Sequence, residues 1–89
     1  MTPITAEIRV ASIRSRGKHG GAIFSGTTDD EQRYVVVCNR QQVPDGSLVD
    51  KGQRWRVTGT SVAREVTING YVLQEQQIEA TEAELLRKR

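Results

Sequence analysis

Polar and apolar residues alternate along several short stretches of the chain, the pattern of strands with one buried face. In the stretch from Thr5 to Ile13, Ile8 and Val10 fall on one face while charged side chains fall on the other. The runs Ala22–Thr28 and Arg33–Cys38 are rich in β-branched and aromatic residues, which favour strands. The pattern therefore predicts three strands in the first 38 residues.

A hairpin is predicted in the second half of the chain, where Asn69-Gly70 separates two β-prone runs. Both residues tolerate the positive φ that a type I′ turn requires. The flanking patterns predict strands over Gln53–Ile68 and Tyr71–Ile78 and allow a bulge or bend at Ser61–Arg64. Residues 39–51, with Pro44-Asp45-Gly46, form a turn-rich connection in which Leu48 and Val49 could fill the core.

The last nine residues have the pattern of a short helix. Thr81 stands at a plausible N-cap and Glu84 follows three residues later, which is the spacing of a capping box. Because a helix of two turns is marginal alone, we interpret residues 81–89 as the start of a helix or a linker into a following domain. This interpretation makes residues 1–80 one domain cut from a longer protein.

Five strands in about eighty residues, each with one apolar face, predict an all-β protein. A small sheet of this kind avoids open edges by closing into an antiparallel barrel. The wide connection after the third strand fits a five-stranded Greek-key barrel of the oligonucleotide-binding (OB) type, followed by the short C-terminal helix. SH3-like and Sm-like barrels remain open from the pattern alone.

Composition narrows the class of protein further. Only 36 % of the 89 residues are hydrophobic, so the core must be small and built mainly from Val, Ile and Leu. Cys38 is the single cysteine, which excludes an internal disulfide and predicts a small buried side chain in a reducing compartment. No apolar run has the length of a membrane span and no signal peptide is visible, so we expect a soluble, cytoplasmic protein without a membrane partner.

Charge is distributed unevenly, although the net charge is only +2. Residues 1–28 and 53–74 are net basic, whereas residues 29–52 and 75–89 are net acidic. The two basic segments can act together only if the fold brings them to one surface.

Catalytic motifs are absent from the sequence. Gly17-Lys18-His19-Gly20-Gly21 lacks the spacing and the hydroxyl of a phosphate-binding loop. His19 is the only histidine and Cys38 the only thiol, so neither a zinc site nor a Cys–His nucleophile is supported. We expect no enzymatic activity, no cofactor and no metal, with His19 exposed in a loop.

Five short motifs follow one another along the chain: Ile8-x-Val10-x-x-Ile13, Gly20-Gly21-Ala22-Ile23-Phe24, Tyr34-Val35-Val36-Val37, Asp50-Lys51-Gly52-Gln53-Arg54-Trp55-x-Val57-x-Gly59 and Asn69-Gly70-Tyr71-x-Leu73-Gln74. They span about Ala6 to Ala80, and the sequence resembles the OB domain at the N-terminus of RecD-like (superfamily 1) DNA helicases and related conjugation and repair helicases. The resemblance implies DNA handling, with the ATPase elsewhere in the parent protein and its helicase domains as a further partner.

Binding of single-stranded DNA needs cations along the backbone and aromatic rings for the bases. An OB barrel binds through strands two and three and the loops beside them, which predicts these contacts: Arg14, Arg16, Lys18, Arg33, Tyr34, Arg64 and Tyr71. Tyr71 is the best candidate for stacking, Tyr34 could face either side, and Trp55 and Phe24 are expected in the core. So few contacts predict weak, salt-sensitive binding without sequence preference, micromolar at best.

Two alternatives remain open from the sequence. The cations could merely solvate the surface, in which case the domain is a protein-interaction or structural barrel that packs on a motor domain or partner. The ligand could also be RNA, because only the family resemblance favours DNA.

Overall fold

A computed structural model of the chain describes residues 1–87, which form five strands and one 3₁₀ turn. In chain order these are β1 (Thr2–Arg16), β2 (Ala22–Thr27), β3 (Arg33–Cys38), the 3₁₀ turn (Gly46–Leu48), β4 (Arg54–Ile68) and β5 (Tyr71–Arg87). The all-β prediction is confirmed, and β1 and β5 are both longer than their alternating patterns indicated. No helical segment within residues 1–87 is long and apolar enough to cross a membrane.

The five strands form one mixed sheet that closes into a ring in the order β1-β2-β3-β5-β4. Four neighbouring pairs are antiparallel, but β3 and β5 run parallel through Val35–Val37 and Gln77–Glu79. The prediction of a wholly antiparallel sheet is therefore wrong at one pair. The reason is topological, since strand direction cannot alternate all the way around a ring with an odd number of strands.

The interior of the ring is filled by small aliphatic side chains around two aromatic rings. Phe24 is fully buried, Trp55 is 3 % exposed, and their ring centroids lie 6.3 Å apart. Trp55 Nε1 donates a hydrogen bond of 2.9 Å to Oε1 of Gln53, which satisfies the buried indole. The expectation that both rings belong to the core is confirmed.

The connection between β3 and β4 completes this core. Val43 and Val49 are both fully buried in the interior cluster, whereas Leu48 is 47 % exposed. The prediction of two core-filling residues thus holds for Val49 and is wrong for Leu48. Asp45 caps the 3₁₀ turn by accepting a hydrogen bond from the Ser47 backbone N–H.

The predicted C-terminal helix is wrong over residues 81–87, which continue β5 and pair with the start of β4. Ala83 and Leu85 alternate with glutamates and pack against the core, so the strand period decides the conformation. Thr81 Oγ1 donates to the Thr58 carbonyl oxygen instead of capping a helix. Lys88 and Arg89 lie outside the described residues.

The β4–β5 hairpin closes as predicted, since φ is 51° at Asn69 and 82° at Gly70. Its ladder is regular through Ser61–Arg64, so no bulge lies there. The register shifts instead at the start of β4, between Arg54 and Trp55, and again between Thr58 and Gly59. This position is where β4 and β5 approach each other too closely for any side chain at Gly59.

Cys38 is buried, as expected, and burial raises the pKa of its thiol from 9.0 to about 11. We therefore expect iodoacetamide at pH 8 to alkylate the folded protein at least about a hundredfold more slowly than the urea-unfolded chain, because the reactive thiolate is that much rarer. Mass spectrometry over a time course measures both rates. Equal rates would contradict the burial of this thiol.

Candidate nucleic-acid interface

The outer part of the β4–β5 hairpin extends past its neighbouring strands. β1 pairs with β4 only as far as Ser61, and β3 pairs with β5 only from Gln77 onward. Residues 63–76, which we call the distal ribbon, therefore pair only with each other within residues 1–87. A two-stranded ribbon with two unpaired edges can form one wall of a binding surface.

A groove of about 310 Å³ lies between the distal ribbon and the ends of β1 and β3. We call it the ribbon groove, and its lining consists of Arg14, Arg33, Tyr34, Val35, Val66, Ile68, Leu73, Gln74, Glu75 and Gln76. The ribbon contributes six of these ten residues, so the groove exists because the hairpin is longer than closure of the ring requires.

The wall of the ribbon groove is largely apolar. Val35 is 3 % exposed although it lies outside the interior cluster, whereas Tyr34 is half-buried, packs against that cluster and also lines the groove. On the ribbon, Leu73 faces the same side as Val66 because the two are directly opposed in the ladder. Ile68 and Leu73 remain about half exposed, at 46 % and 49 %. Apolar walls beside two glutamine amides suit a flat, partly polar ligand.

Two arginines provide positive charge in the groove. Arg14 holds Glu75 through two parallel hydrogen bonds, Nη1 to Oε1 at 3.1 Å and Nη2 to Oε2 at 2.9 Å. The hydrogen bonds from Arg14 and then from Gln77 hold the pKa of Glu75 below its usual value, and the charge of Arg33 adds to this effect. Arg33 itself makes no ion pair with any carboxylate of residues 1–87. It is therefore the cation most available to an anionic ligand.

Three of the seven residues predicted from the sequence line the ribbon groove, namely Arg14, Arg33 and Tyr34. Tyr71 and Arg64 lie on the distal ribbon but not in the lining. Tyr71 is 73 % exposed beside the turn, and Arg64 forms an ion pair with Glu79.

Arg16 and Lys18 do not belong to the groove, although they follow Arg14 closely in sequence. Arg16 Nη2 donates to the Val49 carbonyl oxygen at 2.9 Å and to Asp50 at 3.0 Å, which ties β1 to the β3–β4 connection. Lys18 is exposed in the loop after β1. Of the three predicted basic contacts Arg14, Arg16 and Lys18, only Arg14 contacts the β4–β5 hairpin.

Sequence reasoning missed the ribbon side of the groove, above all Glu75. The available signal was strand parity, because Leu73 and Glu75 lie on the same ribbon face as Tyr71. The pairing of Glu75 with Arg14, which is 61 residues away, depends on the ring register and has no local signal.

Comparison of the chain with protein-family models, with curated proteins and with solved structures finds no match. The resemblance to helicase OB domains therefore stays a hypothesis drawn from short motifs. Within residues 1–87 no group of three His, Cys, Asp or Glu side chains is arranged to hold a metal. A functional hypothesis must rest on the ribbon groove itself.

Proposed function

We propose that this chain is a cytoplasmic OB-fold module that binds single-stranded DNA weakly and without sequence preference in the ribbon groove. Its parent would be a larger, helicase-like DNA-processing protein. The observation that carries the proposal is the union of an apolar wall with Arg14, Arg33 and Tyr34 in one open groove. The strand order, with a long connection after β3 and a hairpin between β4 and β5, supports a Greek-key OB barrel.

Binding in the groove would combine two contributions. A base rests against Tyr34 and the aliphatic side chains, while the flanking phosphates meet Arg33 and Arg14. Stacking of one base contributes about 1–3 kcal/mol and does not depend on its identity, which accounts for the absence of sequence preference. With so few contacts, the dissociation constant would be micromolar or weaker.

The remaining predicted contacts would act from outside the groove. Tyr71 is placed to stack on a neighbouring base, since it is opposite Ile68 at the ribbon tip and highly exposed. Arg16 and Arg64 are engaged by carboxylates, and Lys18 is solvated, so these three would contribute only long-range attraction.

A salt titration with fluorescein-labelled oligo-dT, followed by anisotropy, tests the proposal. One phosphate contact at Arg33, or two when Arg14 also contacts phosphate, predict that log K falls with log[salt] with a slope between about −0.7 and −1.4. We expect Arg14→Ala/Arg33→Ala to lower the affinity at least about tenfold. The control Arg40→Ala/Arg56→Ala removes the same charge from outside the groove and should change the affinity less than about twofold.

Absence of binding by the wild-type protein even at low ionic strength would reject the proposal. Equal losses in the two double variants would reject the groove as the site. The same titration with oligo-rU of equal length distinguishes the ligands, because tighter binding of RNA would replace DNA in the proposal.

A second candidate function is a protein-interaction module that packs on a motor domain or partner. One observation favours it: the ribbon tip exposes four large apolar side chains, Ile68, Tyr71 and Leu73 on one face and Val72 on the other. Under this alternative, Arg14→Ala/Arg33→Ala would leave partner binding intact, whereas Val72→Ser would weaken it.

A further inference from the structure

The Glu75 carboxylate is hydrogen-bonded to the edge of the Arg14 guanidinium that a phosphate would bind. A guanidinium presents two parallel N–H groups that fit either a carboxylate or a phosphate. In this structure both oxygens of Glu75 accept from that edge, at 2.9 Å and 3.1 Å. An incoming phosphate must therefore displace Glu75 or bind without this edge of Arg14.

The position of Glu75 is set by more than Arg14. Gln77 Nε2 donates to Oε1 of Glu75 at 2.9 Å, and the Glu75 side chain is only 12 % exposed. Arg64 lies directly opposite Glu75 in the ladder but bonds Glu79 instead. Glu75 is thus held within the groove rather than solvated at its rim, and it would remain close to any phosphate that took its place.

We propose that Glu75 is a built-in competitor for phosphate at Arg14 and limits the affinity of the ribbon groove. The inference rests on the proposed function and adds how that site is regulated. With Glu75 in place, Arg33 is the only groove cation that is not already neutralised. A displaced Glu75 carboxylate repels the bound phosphate, which favours rapid release.

A purely structural role for this ion pair makes a different prediction. The pair joins the end of β1 to the distal ribbon, so it could serve only to hold the ribbon in place. Glu75→Gln separates the two roles, because the amide keeps an oxygen that accepts from Arg14 while the negative charge is lost. If the role is structural, the variant lowers the urea midpoint without tightening DNA binding.

The test compares wild type, Glu75→Gln and Glu65→Gln in the oligo-dT anisotropy assay. Glu65 is an exposed residue of the distal ribbon that forms no ion pair within residues 1–87, and its substitution changes the net charge equally. We expect Glu75→Gln to bind about tenfold tighter at low salt. Its salt slope should steepen by about 0.7, as for one added phosphate contact. Glu65→Gln should stay within about twofold of wild type.

The double variant Arg14→Ala/Glu75→Gln tests whether Glu75 acts through Arg14. It should bind DNA no more tightly than Arg14→Ala alone. If wild type binds but Glu75→Gln gains no more than Glu65→Gln, Glu75 is not a competitor and the proposed function stands. A gain that persists without Arg14 also overturns the inference. If no variant binds at the lowest salt, the DNA-binding function fails, and the role of Glu75 falls with it.

Discussion

Replacing Trp55 with alanine is expected to lower the free energy of unfolding by about 3–5 kcal/mol. Trp55 lies opposite Ile8 on β1 and Leu85 on β5, so its truncation opens a cavity where three strands meet. A small domain has a total stability of about 5–15 kcal/mol. The variant should therefore unfold at a much lower urea concentration than wild type, as measured by far-UV circular dichroism.

Trp55→Phe is the matched control because it keeps an aromatic ring and removes only the indole N–H and some volume. Gln53 Oε1 would still accept the Asp50 backbone N–H at 2.8 Å, so no buried acceptor loses all its partners. We expect a loss of about 1–2 kcal/mol. Equal urea midpoints for Trp55→Ala and wild type would show that Trp55 does not anchor the ring.

The strands and the hairpin could be predicted because their signals are local. Burial on one face imposes alternation on Ile8 and Val10, and a type I′ turn demands residues such as Asn69-Gly70. The C-terminal segment could not be predicted in the same way, because seven residues fit both a capping box and a strand. Its conformation depends on pairing with the start of β4, which lies more than twenty residues earlier in the sequence.

The same difference between local and long-range signals separates the site residues that the sequence predicts from those that it does not. Arg33 and Tyr34 begin a strand, and the sequence alone predicts them as surface contacts beside a binding face. Glu75 could not be predicted as a site residue, because its contact with Arg14 depends on the register of the ring. The sequence predicts Arg16 as a contact because it lies beside the loop after β1, but the end of β1 is irregular and Arg16 pairs with Asp50 instead. Proximity along an irregular strand does not establish a common face.

Gly59→Ala is expected to destabilise the ring by about 3 kcal/mol or more through a backbone collision. A Cβ at this position would lie 2.1 Å from the Glu79 carbonyl oxygen and 2.9 Å from Cα of Ala80. Both atoms belong to the backbone of β5, which cannot rotate away as a side chain can. β4 cannot retreat either, because Gly59 is paired with Ile4 of β1 on its other side.

Gly70→Ala is the control, since it adds the same methyl group to the same hairpin without a collision. Nothing lies within 4 Å of a Cβ at Gly70, but its φ of 82° is strained for alanine, which costs about 1–2 kcal/mol. Urea titrations of the two variants should therefore place Gly59→Ala clearly below Gly70→Ala. The opposite order would mean that β4 and β5 can separate at the register shift. Closure of the ring would then not depend on a glycine there.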